Sequence, residues 1–323
     1  MYSSTKNAQD EQTLIKMAKK AFPDCDCAEI NELTDGYFNV AYFVKLSDGK
    51  ESILKIAPPK EAKIMSYERN IMDSEVAAMR LVSEVTDVPV AKIFYYDDSC
   101  TVCSSSYFFM EKLKGNSIYL LNDQISKEQK RYLHTLVGQL NRRINAITGD
   151  KFGYPGVPEM QGENWYNVFR QMLHMLIKDA EAMTVDLKVP VTELWQYLER
   201  DQSVFESVKV PQLVHWDLWE GNIFVDDGKV TGLIDWERWL WADPLMEVGF
   251  RTYHHNMEFL EGYGITELSA QEYRRALWYD IYYMLLAAQE CAYRQYDTMS
   301  MYEWSTGVLI EKFTELRNSQ IIY

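Results

Sequence analysis

Between Gln212 and Met246 the chain reads Q-L-V-H-W-D-L-W-E-G-N-I-F-V-D-D-G-K-V-T-G-L-I-D-W-E-R-W-L-W-A-D-P-L-M. This stretch offers a carboxylate at Asp217, a carboxamide at Asn222 and a second carboxylate at Asp235, with His215 just before the first. Oxygen donors of this kind suit a hard cation such as magnesium rather than zinc. Taken singly, Asp217 and Asn222 also read as turn formers, and Asp226-Asp227-Gly228 reads as the turn between two short strands.

Upstream elements must position this set. Asn7 to Phe22 has the apolar spacing of an amphipathic helix, stopped by Pro23. The period then changes to two, giving strands over Glu29 to Leu33, Phe38 to Leu46 and Glu51 to Ala57, parted by Thr34-Asp35-Gly36 and Ser47-Asp48-Gly49. Lys55 lies inside the third strand. Its ammonium is costly to bury without a partner, though the wet side of an edge strand would also accommodate it. A helix over Met65 to Val82 supplies two candidate partners, Glu68 and Glu75, two helical turns apart and so able to face the same way. Glu75, which opens E-V-A-A-M-R-L-V, is the choice.

Val90 to Tyr96 and Ser106 to Lys112 read as a further strand pair, after which the pattern turns helical. Leu133, Leu136, Val137, Leu140, Ile144 and Ile147 form one apolar stripe, and Trp165 to Ile177 carries another. A helix over Val191 to Val208 leads into the stretch that holds Asp217. Beyond Asp243-Pro244 the chain reads as helical, with a last helix over Trp304 to Leu316. Asp243 and Glu247 read as loop and helix-cap residues. Cys25-Asp26-Cys27 and Cys100-Thr101-Val102-Cys103 do not have a standard zinc spacing, and adjacent His254 and His255 project to different sides of a helix.

With 323 residues, 47% of them hydrophobic, the chain can build two lobes with cores of their own. A net charge of −15 argues against nucleic acid or an anionic membrane as the main partner. Such a field would attract a cationic small molecule, and it also serves plain solubility. No apolar run is long enough to span a membrane, Met1 to Asp10 is polar, and the five cysteines are an odd number, which together suggest a cytoplasmic protein with free thiols.

The pattern H-x-D-L-x-x-x-N followed by I-D-W-E resembles the aminoglycoside phosphotransferase and choline kinase group of small-molecule kinases. That resemblance implies an α+β, two-lobed, protein-kinase-like fold with a small antiparallel-sheet N-lobe and a mostly helical C-lobe. Residues 1–112 would form the nucleotide-binding lobe, 113–117 the hinge, and 118–323 the catalytic and substrate-binding lobe. It implies ATP, or GTP, together with Mg2+. Lys55 steadied by Glu75 would hold phosphates under a loop containing Gly36 and Asn39, while the backbone around Glu111 and Leu113 would meet the nucleobase. Asn222 and Asp235 would bind metal, Asp217 would take the proton of the acceptor hydroxyl, and His215 would brace the loop.

Trp219 is a candidate for stacking on the acceptor, and Glu237, Glu258 and Asp280 are candidates for meeting its amines. The group usually shows glycine between His and Asp and a polar residue at the later position, where this chain has Trp216 and Trp219. The implied activity is transfer of the γ-phosphate to a hydroxyl of a small molecule, aminoglycoside-like or another hydroxylated metabolite. Choline, ethanolamine or macrolide acceptors, or a catalytically silent nucleotide-binding regulator, stay open. The sequence does not speak to oligomeric state. Asp243-Pro244 follows Asp235 too closely to leave room for a protein kinase's activation segment.

Overall fold

Asp10, rather than Asn7, starts the first helix in the computed structural model, which describes residues 3–34, 36 and 38–319. The Asp10 carboxylate accepts from the Thr13 N–H and so caps helix α1 (Glu11–Ala21). Asn7 is held instead by tertiary bonds, its amide donating to the Ala57 carbonyl and to Ser105 Oγ. Strands β1 (Cys27–Leu33), β2 (Val40–Leu46) and β3 (Glu51–Ile56) follow. Asp35 and Tyr37, in the turn expected before Phe38, lie outside the described residues. Helix α2 (Ile71–Val85) and strands β4 (Ile93–Asp97) and β5 (Tyr107–Glu111) complete an antiparallel sheet of order β1-β2-β3-β5-β4.

Alternation within that sheet sorts its two faces. Val40, Tyr42, Val44, Leu54, Tyr107 and Phe109 pack with Leu14, Met17 and Ala18 of α1. Phe108 and Met110 pack on the opposite face with Ile71, Met72, Val76 and Met79 of α2. Each fully buried aliphatic or aromatic side chain contributes about 1.5–3 kcal/mol. Lys55 pairs with Phe108 across the β3–β5 ladder, and partners in register share a face, so Lys55 points toward α2.

The helix expected over Met65 to Val82 is split. Ser66–Glu68 forms one 3-10 turn and Asn70 takes a left-handed φ of 55°, so α2 begins at Ile71. Glu68 is thereby separated from the face that carries Glu75. It is buried and pairs with Arg294 at 2.9 Å.

The rest of the chain is mostly helical. It runs through β6 (Asn116–Ser117), α3 (Lys127–Asn145), β7 (Phe152–Gly153), β8 (Gln161–Gly162), α4 (Trp165–Ala182), α5 (Val191–Arg200), α6 (Gln202–Phe205) and β9 (Gln212–Val214). Then come β10 (Ile223–Asp226), β11 (Lys229–Leu233), β12 (Leu240–Ala242), α7 (Met257–Tyr263), α8 (Ala270–Arg294) and α9 (Ser300–Asn318). The single helix expected over Val191 to Val208 is interrupted at Asp201, which is fully buried against Arg274 and the Trp278 indole.

β10 and β11 form a hairpin around Asp227 and Gly228, whose φ values of 46° and 73° match the two left-handed positions of a tight hairpin turn. The Leu233 N–H donates to Pro89 O, tying this hairpin to the chain between α2 and β4. The architecture is α+β and two-lobed: a small antiparallel sheet with its helices, and a larger helical part. Among the described residues, no helix is long and apolar enough to cross a membrane.

Candidate active site

Because Lys55 faces α2, its ammonium reaches Glu75 at 2.7 and 2.9 Å, and it also reaches Asp235 Oδ1 at 3.0 Å from the end of β11. Burial alone would lower the Lys55 pKa, but the carboxylates of Asp235, Glu75 and Glu237 outweigh it and hold the ammonium above its ordinary value. Burial likewise works against the charged form of Asp235. Lys55, Arg238 and His215 overcome that cost and keep its carboxyl below the usual range. Asp235 sits at a left-handed φ of 65°, which turns the chain out of β11 into the Trp236–Arg238 turn.

Glu75, Asp235 and Glu237 each place an oxygen within 4.8 Å of the others. Glu237 accepts from Asn39 Nδ2 at 2.9 Å, so the segment after Gly36 reaches across to the turn after β11. Burial, with Asp235 and Glu75 nearby, pushes the Glu237 carboxyl well up. Asn39 Oδ1 is buried with no hydrogen-bond partner among the described residues. Gly36 is exposed, and a Cβ there would lie 3.3 Å from Asn39 O.

Glu247 shapes the second half of the site. Fully buried, it accepts from the backbone N–H groups of His215 and Trp216 and from the side-chain amides of Asn141 and Asn145 on α3. His215 Nδ1 lies 3.3 Å from the Asp217 N–H and Nε2 lies 3.1 Å from Ile234 O. An amide proton needs an acceptor and a carbonyl needs a donor, so the ring is the neutral tautomer protonated on Nε2. Burial agrees, lowering the His215 pKa to about 4.

Trp216 is left-handed at φ 65° and is held by Tyr67, Tyr154 and the stacked ring of Tyr282 at 5.5 Å. Glycine would adopt this φ without cost, and here aromatic packing holds a tryptophan in it. Asp217 follows, half-buried. Burial raises its carboxyl to about 6, opposed by Arg238 and Arg251. Asn222 Nδ2 donates to Asp217 O at 2.8 Å and lies 3.4 Å from Asp217 Oδ2, leaving the carboxamide oxygen for another partner. That oxygen and the Asp235 carboxylate are a hard donor set, which fits a magnesium ion.

The remaining candidates are more scattered. Trp219 is 42% exposed and packs edge-on to Tyr119 at 5.4 Å. Glu111 ends β5 with an exposed side chain, and its backbone N–H bonds to Lys92 O. Leu113 covers Gly232 of β11 so closely that a Cβ there would meet it at 2.4 Å. Glu258 pairs with Arg131 at 3.4 Å, and Asp280 is buried, accepting from the N–H and hydroxyl of Thr252. The sequence reading passed over Glu247 as a cap residue and did not single out Arg238 or Arg251. A buried acid whose partners are backbone amides leaves no spacing signal.

Residues 29–279 match the family described as APH, the phosphotransferase enzyme family. The chain belongs to that family. Solved APH-type structures share its fold at low identity. A streptomycin–ATP complex of APH(2")-IIa is 15% identical, with 97% of this chain and 98% of that one covered and a TM-score of 0.59. An ADP and hygromycin B complex of APH(4)-Ia is also 15% identical, covering 95% of this chain and all of that one, at a TM-score of 0.64. A candidate fructosamine-3-kinase from Thermobifida fusca aligns at a TM-score of 0.69 and 12% identity, over 96% of this chain and 100% of that one.

A curated relative, the probable acyl-CoA dehydrogenase IBR3 of Arabidopsis thaliana, is 22% identical over 240 residues, 70% of this chain. A subtelomeric hrmA-associated cluster protein of Aspergillus fumigatus is 24% identical over 119 residues, 36% of this chain. The APH chain spans 28% and 23% of the length of these two relatives.

Proposed function

We propose that this APH-family chain is an ATP-dependent, magnesium-requiring kinase that phosphorylates a hydroxyl of a small molecule. The observation that carries the reading is Lys55 pinned between Glu75 and Asp235, with the Asp217–Asn222 pair on the neighbouring loop. Residues 1–112 act as the nucleotide lobe, 113–117 as the hinge whose backbone near Glu111 and Leu113 meets the base, and 118–323 as the catalytic lobe.

Lys55 holds the nucleotide phosphates, with Glu75 fixing the ammonium. Asn39, one of whose oxygens lacks a partner, lies in the segment that covers them. Asn222 and Asp235 would hold magnesium, which when bound offsets charge on the phosphate oxygens. Asp217 orients the acceptor hydroxyl and takes its proton. The hydroxyl oxygen then bonds to the γ-phosphorus as the bond from that phosphorus to the bridging oxygen breaks, and ADP leaves with the electron pair. His215, with both ring nitrogens engaged, braces the loop and is no base.

A coupled ADP-release assay over hydroxylated small molecules tests this, with Asp217→Asn as control. Loss of a general base lowers turnover by about 10²–10⁴-fold. Equal turnover in the two proteins would refute the mechanism.

A further inference from the structure

Two arginines act on Asp217, Arg238 and Arg251, and Arg251 is the one of them that meets no carboxylate among the described residues. Arg251 spends one N–H on Trp216 O at 3.3 Å, the carbonyl next to Asp217, and its guanidinium lies 3.9 Å over the Tyr283 ring. It is half-buried and makes no ion pair among the described residues. Arg238, Arg274, Arg275 and Arg294 differ in this respect, each meeting a carboxylate at 2.6–2.9 Å. The buried Tyr253 hydroxyl lies against the same guanidinium and meets no other hydrogen-bond partner among the described residues.

The acids that might have met an amine are engaged elsewhere. Glu237 is bonded to Asn39, Glu258 to Arg131, and Asp280 to both donors of Thr252. A guanidinium with donors to spare, stacked on one aromatic ring and next to a phenol whose O–H has no acceptor among the described residues, forms a planar fork for a carboxylate or phosphate.

We propose that the acceptor carries an anionic group, carboxylate or phosphate, which Arg251 and Tyr253 hold while its hydroxyl lies at Asp217. This rests on the kinase reading of the site. Phosphorylating an already anionic molecule also makes the guanidinium useful in offsetting the charge carried by both reactants.

The test uses a deproteinised metabolite extract, freed of nucleotides on charcoal and split by anion exchange, with each fraction offered to the wild type and to Asp217→Asn with ATP and magnesium. Expected is Asp217-dependent ADP release from the retained fraction. Arg251→Gln should then raise KM for that fraction at least tenfold with KM for ATP unchanged, and Arg251→Lys should recover part of the loss. Phosphatase treatment before a second separation distinguishes the sources: acceptor activity that survives in the retained fraction marks a carboxylate, and activity that the treatment destroys marks a phosphate ester. Asp217-dependent release from the flow-through alone, or an unchanged KM in Arg251→Gln, would overturn the proposal and leave the kinase reading standing. Silence in every fraction would overturn both.

Discussion

Glu247 accepts hydrogen bonds from two consecutive backbone amides, those of His215 and Trp216, at 2.9 and 3.0 Å. Both oxygens of a buried carboxylate are thus used to fix the loop that presents Asp217. Replacing it by glutamine turns one acceptor into a donor aimed at other donors. Glu247→Gln should therefore cost about 2–4 kcal/mol of stability and lower kcat more than it raises the KM for ATP. Chemical denaturation together with steady-state kinetics measures both, and an unchanged kcat would remove Glu247 from the positioning of Asp217.

Lys55 is balanced against two carboxylates, so its removal leaves like charges facing each other in a buried space. Lys55→Met should destabilise the fold by about 3–5 kcal/mol and abolish measurable transfer. Adding Glu75→Leu should restore much of the stability without restoring activity. Unfolding midpoints of the single and double variants, compared with their turnover, separate the structural from the chemical effect.

Asp280 gives a pH signature. Burial raises its carboxyl to about 6 from an ordinary value of 3.8. The folded protein therefore binds this proton more tightly than the unfolded chain. The resulting stability is present in full below the ordinary value and is lost as pH rises through about 6. Asp280→Asn, which keeps an oxygen for Thr252, should gain on the wild type by about 3 kcal/mol between pH 3.5 and pH 8. A pH series of unfolding free energies, taken as variant minus wild type so that other groups cancel, reads it directly. A flat difference would mean that the folded carboxyl titrates normally.

Trp216→Gly sets two effects against each other. Glycine relieves the left-handed backbone by about 1 kcal/mol, whereas removing a ring packed on Tyr67, Tyr154 and Tyr282 costs about 3–5 kcal/mol. Packing wins, so the urea midpoint should fall. A rise would mean that backbone strain governs this loop.

Much of this arrangement was legible in the sequence because spacing carried it. Asn222 and Asp235 flank one short hairpin and Asp217 lies in the loop just before it, so their proximity in space follows from their proximity in sequence. The Lys55–Glu75 contact was readable from an ammonium in an apolar strand followed by a helix with an acid. The choice of Glu75 over Glu68 rested on pattern alone, since the break at Asn70 depends on a left-handed residue that apolar periodicity does not report. Glu247 was read only as a cap because its partners are backbone amides and two asparagines more than 100 residues earlier. Arg251 went unnoticed for a related reason: only the folded chain shows that, of the arginines near Asp217, Arg238 has found a carboxylate among the described residues and Arg251 has not.

The Glu68–Arg294 pair has a mechanical consequence. Both side chains are buried, and Arg294 also approaches Glu290, which holds Arg238 in the turn beyond Asp235. Prying residue 68 from residue 294 would strand charges away from water at a cost of about 3–5 kcal/mol. Any opening between the two lobes should leave this corner shut like a riveted edge, and Asn39 with it, because the ring of its neighbour Phe38 lies 5.1 Å from the Arg294 guanidinium.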